Sequence, residues 1–423
     1  MGVMEKENLG LKILMVNKFF YIKGGSETYY FALKRLLESK GHEVIDFSMK
    51  DEKNFESPYA EYFVEAVDYN GPSGFKAKIR AAKNIIYSKE ARDKFEKLVK
   101  DTRPDVVHLH IFQHQLSPSI LDVCKKYNLP VVYTAHDLKM LCLNYVMMTH
   151  GRICEKCKGG HYINCARQKC VKDSFFKSMI NVCEGYLHKW RKSYDAIDCI
   201  ITPSEFYRKK FIEFGVAKER VIHLANFLDR ECPTVNKTED SEQYFLYFGR
   251  LSREKGINTL IKAYEKYLEA GGKSELKIVG KGPCMDDISA LVAEKKLDSV
   301  KLLGFKSGQE LIDVVGNAKA VILPSEWYEN GPYSAIEAIQ CGRPIIGSEI
   351  GGIPELIDGN GFSFAHGDVD ALAKILSEFP ESGTDEYKVL CEKSRELFAR
   401  NHMADSHYPV LEKIYYKAIN LHK

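Results

Sequence analysis

Two cations five residues apart stand on one loop. After the apolar run Tyr244–Phe248 the chain reads Gly249-Arg250-Leu251-Ser252-Arg253-Glu254-Lys255-Gly256, and a helical pattern opens at Ile257. Arg250 offers a planar fork of donors and Lys255 a compact charge. Together they suit the oxygens of one diphosphate and would neutralise a departing one without a metal. A second constellation follows the apolar run Ala320–Leu323, where the chain reads Pro324-Ser325-Glu326-Trp327-Tyr328-Glu329-Asn330-Gly331-Pro332-Tyr333-Ser334-Ala335-Ile336-Glu337. Gly331-Pro332 marks a helix start, with proline suited to the first helical position. The backbone N–H groups of Tyr333 and Ser334 would then form an anion site. Glu329 before the helix and Glu337 within it are placed to accept hydrogen bonds from sugar hydroxyls, although an acid at Glu329 also complements a helix dipole.

A third group is sulfur-rich. Cys154-x2-Cys157-x7-Cys165-x4-Cys170 has the spacing of a small structural zinc site, and Arg152, Lys156, Lys158, Arg167, Lys169 and Lys172 would offset the charge of four thiolates. Iron–sulfur, reduced thiols and disulfides are the alternatives. Four thiolates fill a tetrahedral shell, and apart from His161 no histidine stands at an obvious open ligand position, so the metal reads as structural. The other eight of the twelve cysteines, at 124, 142, 183, 199, 232, 284, 341 and 391, are scattered and read as single thiols.

The elements that must position these residues follow from the alternation of short apolar runs with helical periods, which predicts parallel sheets with crossover helices. Strands are expected at Leu11–Asn17, Glu43–Ser48, Val106–His110, Val131–Ala135, Cys199–Pro203 and Val221–Ala225, then at Tyr244–Phe248, Leu276–Val279, Val300–Leu303, Ala320–Leu323 and Pro344–Gly347. Helices are expected at Glu27–Ser39, Ile257–Ala270, Pro332–Cys341, Ala371–Phe379 and Tyr408–Ile419. The stretch 229–242, with Pro233, Asn236 and no apolar period, reads as a linker between an amino-terminal domain (1–228) and a carboxyl-terminal one (243–404). The final helix (405–423) is expected to pack back on the first domain, which also carries the cysteine insertion at about 140–185. Each half opens with a strand running into a glycine-containing loop, so ligands belong at the carboxyl ends of the strands.

With Arg250, Lys255 and the Glu329-x7-Glu337 spacing, the chain resembles the retaining glycosyltransferases of family 4 over nearly its whole length. The resemblance implies the GT-B fold: α/β, two Rossmann-like domains facing a central cleft, acceptor on the first and nucleotide sugar on the second. In that family the Arg and Lys hold the diphosphate, the first Glu contacts the transferred sugar and the second holds the ribose. These roles fall on Arg250 and Lys255, Glu329, and Glu337. Val279-Gly280-Lys281-Gly282-Pro283 and Gly304-Phe305 look like the nucleotide-side loops, which adds Gly282 and Phe305 to the substrate contacts. Asn330-Gly331-Pro332 replaces the aromatic and glycine residues usual after the first Glu. Gly24-Gly25-Ser26-Glu27 matches the family's glycine pair, and His136, with Asp137 ending the strand Val131–Ala135, looks like its active-site histidine. His108, His110 and His114 either line the acceptor side or serve packing. Comparable cysteine insertions look familiar from a bacterial subset of the family.

The implied reaction moves a hexose from a UDP- or GDP-sugar to a lipid-linked or polysaccharide acceptor with retained configuration, and no catalytic cofactor. The rivals are a nucleotide-sugar epimerase of the same fold and a zinc-stabilised binding protein. Asp368-x-Asp370 spells a metal motif of another transferase architecture but sits where Asp caps a helix. Gly280-x-Gly282 lacks the third glycine of a dinucleotide fingerprint, since residue 285 is Met.

Composition sets the outer bounds. At 423 residues, 45% hydrophobic and 28% charged, the chain has material for two cores and is not disordered. A net charge of +3 argues against a dedicated nucleic-acid binder, although residues 151–220 carry a local surplus of +7. No apolar run approaches a membrane span, and Met1–Gly10 lacks a signal-peptide core or a myristoylation pattern, Lys6 standing where that pattern needs Ser or Thr. A cytoplasmic location is expected, with weak adsorption to an anionic membrane surface through Phe75–Arg80 with Lys83, Ile85 and Ile86, and through Phe175–Tyr194, the alternative for each stretch being a solvated helix face packed against its sheet.

Overall fold

The computed structural model describes residues 10–67, 75–230, 233–238 and 241–423, and for residues 75–80 the backbone alone. The readings of residues 1–9, of Cys232 and of linker positions 231, 232, 239 and 240 lie outside the described residues, as do the side chains of Phe75–Arg80. The chain divides into two compact units: Met1–Pro203 with Tyr207–Leu224 and His407–Lys423, and Ala225–Ser406 with Ser204–Phe206.

The first unit is built on β1 (Lys12–Val16), β2 (Glu43–Phe47), β3 (Val106–Leu109), β4 (Val131–Thr134), the short β5 (Met148–Thr149) and β6 (Arg152–Ile153), β7 (Cys199–Thr202) and β8 (Val221–His223). Its main sheet runs β2-β1-β3-β4-β7-β8, with every pairing parallel. Every residue of β3, β4 and β7 is buried, as strands covered on both faces require. The helix Gly25–Ser39 buries Tyr29, Tyr30, Leu33, Leu36 and Leu37 at helical period. β5 and β6 pair as an antiparallel hairpin between β4 and β7. The carboxyl-terminal helix Ala404–Asn420 is tied into this unit by Tyr408 Oη to His42 Nε2 (2.8 Å) and Tyr415 Oη to His108 Nδ1 (2.7 Å).

The second unit carries β9 (Tyr244–Phe248), β10 (Glu275–Val279), β11 (Val300–Gly304), β12 (Ala320–Leu323), β13 (Ile345–Ser348) and β14 (Gly361–Phe364). Its sheet is parallel in the order β11-β10-β9-β12-β13-β14. The expected strands all form, with ends shifted by one or two residues. β14 escapes the apolar pattern because it is an edge strand with three of its four residues incompletely buried. Residues 233–238 are not a free linker: Asn236 Nδ2 and its backbone N–H both donate to the Asp313 carboxylate at 2.9 Å, and Asn317 Nδ2 donates to Asn236 O. Those bonds fasten the segment to the helix Gly308–Gly316.

Candidate active site

In a parallel sheet all carboxyl ends share one edge, so the loops after β9, β10, β11, β12 and β13 meet there. Backbone bonds lace them: Gly249 N–H donates to Val279 O, Gly280 N–H to Gly304 O, and Leu251 N–H to Lys281 O. Gly280 lies at φ +145°, and a Cβ there would stand 1.9 Å from Gly249 O, so the close approach of two loops demands glycine. This packing role, together with Met285, leaves no dinucleotide fingerprint.

On this edge Lys255 and Glu329 meet. Lys255 Nζ donates to Glu329 Oε1 at 2.7 Å, and Ser325 Oγ donates to the same oxygen at 2.6 Å. Glu329 is buried. Burial alone would raise its pKa, but the Lys255 charge and the hydrogen bonds outweigh that and hold it below the ordinary value. Its backbone is clamped too. Gly352 N–H donates to Glu329 O at 2.8 Å, and Gly351, at φ +61°, leaves no room for a Cβ, which would lie 2.4 Å from Glu329 N. The Gly351-Gly352 pair after β13 has no signal in the sequence beyond two adjacent glycines.

Arg250 shares the β9 loop but takes no part in this pair. It is exposed, and among the described residues its guanidinium has no hydrogen bond or ion pair. Glu337 sits in the helix Tyr333–Gln340, one residue shorter at each end than expected because Pro332, at ψ 133°, serves as the cap rather than the first helical residue. Arg230 Nη2 donates to Glu337 Oε1 at 3.0 Å, and its Nε to Gln340 Oε1 at 3.2 Å. Burial raises the Glu337 carboxyl, and Arg230 offsets this only in part. Arg230, read as part of a linker, is therefore a member of the site that spacing did not find. Asn330 accepts from Ser204 Oγ (3.1 Å), Gly331 O accepts from Asn226 Nδ2 (3.0 Å), and Tyr333 Oη donates to Phe227 O (3.2 Å), so these residues shape the loop. Phe305, 62% exposed, lies at the β11 end with Lys281 Nζ 5.6 Å from its ring centroid. Asp368 caps the helix Val369–Glu378 by accepting from Ala371 N–H at 2.9 Å, and Asp370 pairs with Lys266, which accounts for both acids without a metal.

The first unit assembles a different cluster at the ends of β1, β3 and β4. Gly24 caps the helix Gly25–Ser39, and a Cβ on Gly24 would meet nothing nearer than Glu27 Oε2 at 3.9 Å. The protein's own packing does not require glycine there. Buried Asn17 donates from Nδ2 to Glu27 Oε1 at 3.3 Å, and Ser26 Oγ donates to the same oxygen at 3.0 Å. Burial raises the Glu27 carboxyl. Burial and neighbouring Lys23 lower the Lys18 ammonium to about 8, against the pull of Glu27 and Asp137. Lys18 and Glu27 were not singled out by spacing. His136 Nε2 lies 3.0 Å from His110 Nδ1, and burial lowers its pKa to about 3. His108, fully buried between Tyr415 Oη and Thr134 Oγ1, is structural, while His114 lies 3.7 Å from Glu184.

Cysteines 154, 157, 165 and 170 gather in the insertion, and Cys142, read as a single thiol, joins them. Burial raises Cys157 to about 12, reinforced by Cys142, Cys170 and Cys154 nearby. A hydrogen bond from Cys165 holds Cys170 down at about 6. Among the described residues no three Cys, His, Asp or Glu side chains stand close enough to hold a metal ion. The thiols gather without closing.

Two parallel-sheet α/β units, each bearing polar side chains at the carboxyl ends of its strands, define the GT-B class. The fold is shared with Anabaena HepE, solved in complex with UDP and glucose, at a TM-score of 0.62 and 16% identity over 96% of this chain and 100% of that one. Residues 23–231 match the family described as Glycosyltransferase Family 4 and residues 230–397 the family described as Glycosyl transferases group 1. The chain belongs to the group 1, family 4 glycosyltransferases. It is 25% identical to the putative colanic acid biosynthesis glycosyltransferase WcaL of Escherichia coli over 51% of this chain and 55% of that one. It is 24% identical to the alpha-monoglucosyldiacylglycerol synthase of Streptococcus pneumoniae over 92% of this chain and 82% of the other. Over the first curated relatives it matches only about half their length, 55% and 52%.

Proposed function

We propose that the protein is a retaining hexosyltransferase that uses a UDP- or GDP-sugar and a lipid-linked or polysaccharide acceptor in cell-surface glycan synthesis. The observation that carries this reading is the Lys255–Glu329 pair, with Arg250 exposed on the same loop: two cations for a diphosphate, one of them already orienting a carboxylate for a sugar hydroxyl. The names of WcaL and of HepE bound to UDP and glucose support it. In this reading the C1–O bond to phosphate breaks while a bond from C1 to the acceptor oxygen forms on the same face. The acceptor proton passes to the leaving phosphate oxygen, and Arg250 and Lys255 stabilise the charge left there. Glu329 and His136 hold the sugar, and Glu337 holds the ribose. Incubation with a panel of nucleotide sugars, with and without acceptors, tests it. Diphosphate release that depends on acceptor supports transfer, an acceptor-independent change of the sugar means an epimerase, and no turnover with any donor means a binding protein.

The reading includes a cytoplasmic protein adsorbed to the inner, anionic membrane face. No helix of the described residues is long and apolar enough to cross a membrane. The helix Phe175–Trp190 instead exposes Phe176 (81%) and Trp190 (80%) among Lys177, Lys189, Arg191 and Lys192. Each cation near an anionic surface contributes about 1 kcal/mol. Phe176→Ser with Trp190→Ser should reduce sedimentation with anionic vesicles at low salt; equal recovery of the unaltered protein with neutral and anionic vesicles sinks the idea. The reading also keeps a structural zinc on Cys154, Cys157, Cys165 and Cys170, with Cys142 in reach, which requires the thiols to draw together on binding. Elemental analysis should find about one zinc per chain, and less than about a tenth of an equivalent, with all the thiols alkylating freely, removes the metal.

A further inference from the structure

His110, the residue following β3, is fully buried, and its two ring nitrogens have different fates. Nδ1 lies 3.0 Å from His136 Nε2, with the two rings within 22° of parallel. Nε2 is buried with no partner among the described residues. We propose that His110 is a positioning residue: by donating from Nδ1 to His136 Nε2 it fixes His136 as the neutral Nδ1–H tautomer, which presents a donor rather than a base at the end of β4.

Both rings are neutral, because burial lowers His136 to about 3 and His110 well below its ordinary value. The titratable groups packed against them are His108, stacked on His110 at 4.4 Å, Tyr30, 5.2 Å from His110, and Tyr29, 5.2 Å from His136. His407 stands behind Tyr29, 3.1 Å from its hydroxyl. None of these is a carboxylate that would stabilise an imidazolium. Two neutral imidazoles sharing one hydrogen bond have two arrangements. If His136 donated, the His110 proton would sit on Nε2, enclosed with no acceptor, and buried donors without partners are the rarer defect. If His110 donates, its Nε2 carries only a lone pair. His136 Nε2 is then the acceptor, and its proton moves to Nδ1, whereas an imidazole in water prefers the proton on Nε2. A donor at Nδ1 suits a sugar hydroxyl oxygen. That catalytic meaning rests on the transfer reading; the tautomer does not.

Histidine-selective 15N labelling of the full chain reads the tautomer directly, with the His136 signals among the 13 histidines assigned by their loss in His136→Gln. Expected at neutral pH are a pyrrole-type Nδ1 and a pyridine-type Nε2. His110→Phe, with no donor, should return His136 to mostly Nε2–H, and His110→Asn, whose amide can donate from a similar place, should restore Nδ1–H. In transfer assays His110→Phe should lower kcat about tenfold, one hydrogen bond's worth, with KM within about twofold, and His110→Asn should recover most of it. A pyrrole-type Nε2 in the unaltered protein overturns the proposal and needs no variant to fold. An unchanged tautomer in folded His110→Phe does so as well. The expected tautomers without turnover of any nucleotide sugar would mean that the transfer reading has failed and the positioning has not.

Discussion

At the ends of β9 and β12 the side chains are charged and paired, with Lys255 against Glu329 at 2.7 Å and Arg250 unpaired and exposed beside them. At the ends of β1, β3 and β4 the contacts are made by uncharged donors, with two imidazoles sharing a hydrogen bond and a carboxyl, Glu27, held by an amide and a hydroxyl while Lys18 and Lys23 act on it only through space. Burial acts on both clusters with opposite results. Glu329 has a cation in contact and its pKa falls; Glu27 has only uncharged donors in contact, with Lys23 acting through space, and burial wins so that its pKa rises. Fixed charge suits a group whose own charge grows during reaction, as a leaving diphosphate does. Neutral donors suit hydroxyls, which bring no charge to balance and would gain little from a cation. Taken unit by unit, the second suits a phosphate and the first suits uncharged oxygens, in line with the proposed reading.

The contrast breaks most visibly at the cations. Arg250→Ala and Lys255→Ala should each lower turnover at least ~100-fold, the scale of removing one preorganised donor from a developing oxyanion. Their stabilities should separate. Arg250 is exposed and unpaired, so its loss leaves the melting temperature unchanged, whereas Lys255→Ala strands buried Glu329 without its counter-charge and should destabilise by a few kcal/mol, about 3–5 at most. Arg250→Ala is thus the cleaner probe. Turnover within a few-fold of the unaltered enzyme for both variants, followed by nucleoside diphosphate release, would remove the leaving-group site.

A smaller effect sharpens the division within each cluster. Glu329→Gln and His136→Ala should lower kcat by about 10–100-fold with nucleotide affinity kept, because the transfer reading gives each a role at the reacting sugar. Glu337→Gln should instead weaken UDP or GDP binding by about tenfold with kcat nearly kept, since the ribose contact proposed for it would be the same in ground and transition states. Arg230 already holds one Glu337 oxygen, so Arg230→Ala should weaken nucleotide binding in the same direction. Isothermal titration beside steady-state rates decides, and unchanged nucleotide affinity in Glu337→Gln refutes the assignment.

The strands and the charged loops were legible because both are local. Apolar runs such as Ala320–Leu323 announce buried parallel strands, and a strand followed by Arg250-x4-Lys255 or Glu329-x7-Glu337 places side chains at the strand's end with no knowledge of the partner. What escaped was relational. Arg230 lies 107 residues from Glu337, the Gly351–Gly352 clamp acts on a residue in another loop, and Glu27 looks like an ordinary acid in the first turn of a helix until Asn17 is folded against it. Cys142 looked solitary because its neighbours in the insertion begin 12 residues on, a distance that the β5–β6 hairpin closes. The segment Phe175–Tyr194 left two readings open for another reason: Phe175–Trp190 is a helix, but exposed aromatics at both ends blur the polar face that a helical period needs.

The smallest expected effect tests the electrostatic contrast itself, without catalysis. Glu329 has a folded pKa below the ordinary 4.5, so its ionised form contributes stability that is present above that value and lost as pH falls through the folded one. Glu27 is raised above 4.5, so the folded state binds its proton more tightly than the unfolded chain does. Its ionisation therefore costs stability above the raised value, and the cost disappears as pH falls back through 4.5. The neutral isosteres should diverge. At pH 7 Glu329→Gln should lower the melting temperature and Glu27→Gln should raise it, each by the few degrees that about 1 kcal/mol gives in units of this size. As the pH drops, the Glu27→Gln advantage should vanish first, above or near 4.5, while the Glu329→Gln deficit should shrink only below it. Because the two units need not melt together, each variant is compared with the unaltered protein on the transition of its own unit. Parallel shifts of the same sign in both variants at pH 7 would mean that the cation-paired and the neutrally held carboxylates are not electrostatically distinct.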